Sequence, residues 1–151
     1  MKIDEAIKSR FTDSFQKAMI NLFYTSKFFE SQLDALFKPY GLRNQHYNVL
    51  RIILGKHPQK INPSYVKSVM IDKRRDLTRL VDKLVTMDLV RREQCMDNRR
   101  KVELSMTDKG LEMAKKIEHE LNALFDRYKH MPHQSYEDIS ALLDDMRTIK
   151  S

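Results

Sequence analysis

The residues best equipped for chemistry lie in one run, Asp72-Lys73-Arg74-Arg75-Asp76-Leu77-Thr78-Arg79-Leu80-Val81-Asp82-Lys83-Leu84-Val85. Arginine presents a planar fork of N–H donors that matches both a phosphate and the major-groove edge of guanine, and lysine adds a compact positive charge. Leu77, Leu80, Val81, Leu84 and Val85 fall at i, i+3, i+4, i+7 and i+8, the buried stripe of an α-helix. That period places Arg75, Thr78, Arg79, Asp82 and Lys83 on the opposite side. A face of this kind suits a groove of duplex DNA or plain solvent, and its surroundings must decide between them.

A second basic group follows. Leu89-Val90-Arg91-Arg92-Glu93-Gln94-Cys95 and Lys101-Val102-Glu103-Leu104-Ser105-Met106 change the period from helical to alternating. They predict two half-buried strands joined by turn chemistry at Met96-Asp97-Asn98-Arg99, with Val102, Leu104 and Met106 on one face. The hairpin carries Arg91, Arg92, Arg99, Arg100 and Lys101. A basic hairpin directly behind a basic helix has the arrangement of a wing, able to reach sugar–phosphate or the minor groove while the helix lies in the major groove.

These two elements need others to hold them. Apolar residues at helical spacing from Phe11 to Phe37 predict one long helix of roughly seven turns, ended by Pro39 and Gly41. It holds six of the chain's seven phenylalanines, more than a small neighbouring domain needs for its core, so a second subunit is expected to cover part of it. Asn44 is expected to cap a helix through Leu54, stopped by Gly55. Asn62-Pro63 predicts another, short helix with Val66, Val69 and Met70 inward. With the basic helix next in line, this is a helix-turn-helix. After the hairpin, Thr107 is placed to cap a helix from Asp108 to about Lys129. Ser135-Tyr136-Glu137-Asp138 resembles a capping box opening a last helix with Ile139, Leu142, Leu143, Met146 and Ile149 as its stripe.

The order of these elements resembles the MarR family of bacterial winged-helix transcription regulators, over nearly the whole length. The resemblance is carried by Phe37-Lys38-Pro39-Tyr40-Gly41-Leu42 with Gln45 to Ile52, and by Asp76 to Leu84, similar to the family's recognition helix. Leu89-Val90-Arg91-Arg92 adds to it, as does Asn98-Arg99-Arg100 through Met106-Thr107-Asp108-Lys109-Gly110. Two positions depart from the family pattern. Asp88 stands where glycine usually follows the recognition helix, and Asn98 where the wing tip usually has aspartate, with Asp97 one position earlier.

The resemblance implies a mainly α fold with a small two- to three-stranded β wing. Residues 39–107 would form the DNA-binding part, and 1–38 with 108–151 the dimerisation helices. It implies a homodimer on double-stranded DNA, gripping a nearly palindromic operator with recognition helices roughly 34 Å apart. Arg75, Thr78 and Arg79 are assigned to base edges and nearby phosphates, Lys73, Arg74 and Lys83 to phosphate, and Arg99 and Arg100 to the wing. Phe11, Phe15, Leu124, Tyr136, Ile139, Leu142, Leu143 and Met146 are assigned to the dimer base. A crevice between that base and the winged part could accept an aromatic or acidic effector, with Phe, Tyr and Met side chains as walls.

Composition narrows the other classes. The net charge of +7 favours an anionic partner. A helical interaction protein using its basic face elsewhere would also explain the charge, but not the wing. No apolar run can span a bilayer, and the N-terminus lacks the apolar segment of a signal peptide. The single cysteine, Cys95, excludes an intramolecular disulfide framework and fits a reducing cytoplasm; a passive half-buried thiol is the reading set beside an oxidation switch. The sequence has no HExxH, no glycine-rich phosphate loop and no nucleophile with an evident base, so no enzyme and no cofactor is expected. His130 and His133 form an H-x-x-H pair interrupted by Pro132 and read as exposed histidines, with no metal.

Overall fold

The computed structural model describes residues 2–8, 10–95 and 101–148. Its elements are α1 (Ile3–Ile7), α2 (Ser14–Phe37), α3 (Asn44–Leu54), α4 (Pro63–Val69), α5 (Leu77–Thr86), β1 (Val90–Gln94), β2 (Val102–Met106), α6 (Asp108–Asp126) and α7 (His133–Met146). The fold is mainly α with a small antiparallel hairpin, as expected. The chain divides into two compact units, Met1–Glu118 and His119–Ser151. No helix among the described residues is long and apolar enough to cross a membrane.

The first unit departs from the sequence reading at both ends of its long helix. Five residues are too few to show a period, so α1 was not anticipated; a Lys17–Asp4 ion pair of 2.6 Å ties it to α2. The long helix starts at Ser14 rather than Phe11, because Asp13 accepts the Gln16 N–H through Oδ1 at 2.8 Å and so fixes the N-terminus. Phe11 therefore precedes the helix, half-buried. At the other end, a 3₁₀ turn over Lys38–Tyr40 leads to Gly41 at φ 67°, a left-handed conformation that glycine adopts without strain. The turn brings Phe37 onto Tyr47 of α3, with ring centroids 4.7 Å apart.

Asn44 is not the cap of α3; Arg43 occupies that position. The free backbone donors are met from elsewhere. Asp34 of α2 accepts the Asn44 N–H at 3.2 Å, and His46 Nδ1 accepts the Arg43 N–H at 3.1 Å. Asn62 does cap α4, its Oδ1 accepting the Tyr65 N–H at 2.8 Å. Val66 and Met70 turn inward, but Val69 is 46% exposed. The residues three and four on from Val66 flank it on either side, and the core takes Met70.

The core of this unit lies under the helix-turn-helix. Leu50 and Ile53 of α3, Val66 of α4, Leu84 of α5, Leu89, and Leu104 of β2 are all fully buried. Each such aliphatic side chain contributes on the order of 1.5–3 kcal/mol relative to exposure. The strands pair Val90 with Met106, Arg92 with Leu104 and Gln94 with Val102, which sends Leu104 and Met106 into the core as predicted. Ile61 adds a single antiparallel bridge to Leu104, beside the two-stranded sheet. Asp88 ends the turn after α5 at φ 58°. Aspartate thus takes the left-handed conformation that glycine would adopt at lower cost.

Thr107 caps α6: its hydroxyl accepts the Gly110 N–H at 2.9 Å and donates to the Asp88 carbonyl at 2.7 Å. The helix ends at Asp126, three residues short of the expected boundary. In the second unit α7 opens at His133, with Pro132 in the cap position, so Ser135 lies inside the helix and the expected capping box does not form. The Tyr136 hydroxyl donates to the Tyr128 carbonyl at 3.0 Å and accepts the Met131 N–H at 3.1 Å, which holds the turn between the helices. Ile139, Leu142 and Met146 are exposed, Leu143 half-buried. Ile149 lies outside the described residues.

Candidate nucleic-acid interface

The helix α5 forms because Asp76 caps it, accepting the Arg79 N–H at 3.3 Å, and because Leu77, Val81 and Leu84 bury as the helix packs on α3 and β1. Leu80 and Val85 are half-buried at the margins of the stripe. Opposite them Thr78, Arg79 and Lys83 are exposed on one face, as the period requires. No ion pair holds Arg79 or Lys83 among the described residues. Their donors are available to phosphate oxygens or base edges.

Arg75 stands elsewhere than predicted, together with Lys73 and Arg74. They precede the helix, in the turn that connects it to α4, so Arg75 is not on the helix's outward face. Asp72 organises this turn. Its carboxylate accepts the Arg74 N–H at 3.1 Å, the Arg74 Nε at 3.4 Å and the Arg75 Nε at 3.1 Å. These bonds, led by the one from the Arg74 backbone, hold the Asp72 carboxyl below its ordinary range. Lys67 of α4 donates to the Arg75 carbonyl at 2.5 Å and closes the turn from the other side. Arg74 stays 95% exposed, so its guanidinium can still swing to a phosphate. Sequence reading missed Asp72 as the anchor; an aspartate two and three residues ahead of two arginines was its visible signal.

The hairpin is strapped to the helix. Arg92 of β1 shares the face of Leu104 and reaches Asp82 of α5, Nη1 to Oδ1 at 2.5 Å. Arg92 therefore orients the wing instead of offering its charge outward, while Arg91 and Lys101 remain exposed. Glu93 lies directly across from Glu103, a like-charge pair that destabilises a hairpin. Lys60 compensates with a 2.5 Å bond to Glu93, which raises the Lys60 pKa and lowers that of Glu93. Arg99 and Arg100, with Asp97 and Asn98, lie outside the described residues. Cys95 is half-buried, its N–H bonded to the Lys101 carbonyl at 2.8 Å.

Beside the arginine turn lies a cleft of about 230 Å³ between α2, the start of α3 and the turn itself. Lys27, Glu30 and Asp34 line it from α2, Asn44 and Asn48 from α3, and Asp72, Arg74 and Arg75 from the turn, with Met70 and Ile71 as its apolar share. Its walls are mostly charged and amide-bearing where Phe, Tyr and Met were expected, and Met70 is the one of these types among the described lining residues. Among the described residues no group of three His, Cys, Asp or Glu side chains could hold a metal ion, and His133 stands 3.8 Å from Glu137 on the surface of α7.

An exposed cationic helix strapped to a two-stranded hairpin and seated on a helix pair defines a winged helix-turn-helix protein. Solved structures narrow the class. A MarR transcription factor from Planctomyces limnophilus is 29% identical, with a TM-score of 0.68 over 91% of this chain and 98% of that one. AbsC, a MarR family transcriptional regulator from Streptomyces coelicolor, is 19% identical, with a TM-score of 0.77 over 91% and 95%. A MarR mutant from E. coli complexed with operator DNA is 19% identical, with a TM-score of 0.74 over 91% and 100%. No family model matches the chain, and no curated protein does. The chain has the winged-helix fold of the MarR family.

Proposed function

We propose that the protein is a non-enzymatic, DNA-binding transcription regulator that acts as a homodimer, represses from a nearly palindromic operator and is released by a small acidic molecule. The observation that carries the reading is the free face of α5, with Thr78, Arg79 and Lys83 exposed beside a wing that Asp82 and Arg92 hold in place. The E. coli neighbour solved with operator DNA supports a duplex as the partner. Thr78 and Arg79, near the start of α5, are the side chains for base edges. Lys83 further along the helix and Lys73, Arg74 and Arg75 in the turn serve the phosphates, with Arg99 and Arg100 from the wing.

The test is selection of bound sequences from random duplex DNA by the full chain. Enrichment of an inverted repeat with half-sites about 10 bp apart supports the reading, and enrichment of nothing overturns it. Within the selected site, Arg79→Ala should cost on the order of 1–3 kcal/mol and relax the preference at one base position. An equal loss on random duplex would move Arg79 to the phosphates. The cleft beside Arg74 and Arg75 is the place for the effector. An acidic compound there competes with Asp72 for the two guanidiniums and loosens the turn ahead of the recognition helix. Titration of phenolic acids against the DNA complex checks this, with release by none of them counting against it.

A further inference from the structure

On the flank of the helix-turn-helix, α3 and α4 leave an apolar groove of about 400 Å³. Ile52 forms its floor, half-buried. Tyr65, Val69 and Ile71 stand along it at 37%, 46% and 86% exposure. Three large apolar side chains exposed around one groove differ from scattered surface residues and mark a contact surface. Ile71 is held outward because Met70 takes the core position and Asn48 Oδ1 accepts the Ile71 N–H at 3.3 Å. The charges at the groove are of one sign. Arg51 and Lys56 line it, no carboxylate does, and neither cation is in an ion pair among the described residues. Lys56 lies over the Tyr65 ring, 5.2 Å from its centroid, so its ammonium is presented at the apolar edge.

We propose that this groove docks an acidic amphipathic helix of a partner protein. Aliphatic side chains at i, i+3 and i+4 would cover Ile52, Val69 and Ile71, while flanking carboxylates meet Arg51 and Lys56. The groove is open to solvent, which fits the ridge of a helix better than a small molecule that must be largely enclosed. Thr78, Arg79 and Lys83 do not line it, so the groove is distinct from the exposed face of α5. The proposal stands apart from the DNA reading and does not need it.

The experiment is selection on the full chain from a displayed library of short amphipathic helices with randomised charged flanks. One enriched acidic helix and its lysine-flanked counterpart are then measured by fluorescence anisotropy. The acidic helix should bind saturably, weaken at least tenfold on Val69→Ser, and weaken similarly on Arg51→Glu; the lysine-flanked one should gain affinity on Arg51→Glu. Circular dichroism confirms that each variant is folded. No enrichment, enrichment of basic or uncharged helices, or binding indifferent to both substitutions overturns the proposal. So does a change in sedimentation on Val69→Ser, which would make a second copy the occupant, or a parallel loss of duplex binding on Val69→Ser, which would make it DNA.

Discussion

Single side chains decide how much of the cationic surface is free to act. Asp82 and Arg92 are each partly exposed, 49% and 39%, so their pair adds at most about 1 kcal/mol to stability. Its larger effect is on orientation, because it fixes the wing against α5, the proposed recognition helix. Asp82→Asn should therefore leave the urea midpoint nearly unchanged yet weaken operator binding several-fold; a loss confined to stability would mean the pair only braces the fold. His46 brings a pH dependence. Burial lowers its pKa below 6.5, and Lys83 and Arg43 lower it further. The unfolded chain thus takes up the proton first as pH falls. The stability that neutral His46 supports is complete above about 6.5 and is lost as pH drops from there toward the depressed folded value. Protonation also ends its acceptance of the Arg43 N–H. Denaturation at pH 7.5 and 5.5 should show a smaller difference for His46→Gln than for the wild type, and equal differences would remove His46 from this role.

At the scale of elements, the junction between wing and α6 leaves no room for a side chain at Gly110. A Cβ on Gly110 would stand 2.0 Å from the Leu89 carbonyl oxygen, a backbone atom that cannot swing aside. Gly110→Ala should cost about 1–3 kcal/mol as overpacking, measured as a fall in the urea midpoint, and no fall would show that α6 can shift freely. Asp88→Gly, two residues past α5, should act in the opposite direction by on the order of 1 kcal/mol, since it relieves a left-handed φ of 58°. These positions also show what the sequence could reveal. The stripe Leu77–Val81–Leu84, the alternation around Leu104, and the caps Asn62 and Thr107 are local patterns, and each was legible. Contacts distant along the chain were not. Asn44 carries the chemistry of a cap, but its own N–H is held by Asp34 from another helix. Arg92 reads as a wing cation, and only the folded hairpin brings it to Asp82. Arg75 fits the helical period from a position where the Asp76 cap prevents a helix from starting.

For the whole molecule the question is what the proposed specific reading of duplex DNA requires of a chain with a net charge of +7. Charge alone gives sequence-independent binding that weakens with salt. Specificity over a palindrome requires two copies. The surfaces available for pairing are Phe15 and Phe23 of α2, 65% and 61% exposed, and Ile139, Leu142 and Met146 of α7, 44%, 62% and 37% exposed. Burying Leu142 against a partner gains on the order of 1.5–3 kcal/mol, which a glutamate at that position would forfeit while adding a desolvation cost. If the wild type is the homodimer proposed above, it should sediment as a dimer, and Leu142→Glu combined with Phe15→Glu as a monomer. The monomer loses the effective concentration that links two half-sites, so its operator affinity should fall by on the order of a hundredfold or more. It should also neutralise half as many phosphates. The plot of log affinity against log salt has a slope of about −0.9 per phosphate contacted, so the slope for the monomeric variant should be about half that of the wild type. An unchanged slope would mean that one protomer makes all the phosphate contacts, and the twofold arrangement of recognition helices would have to be given up.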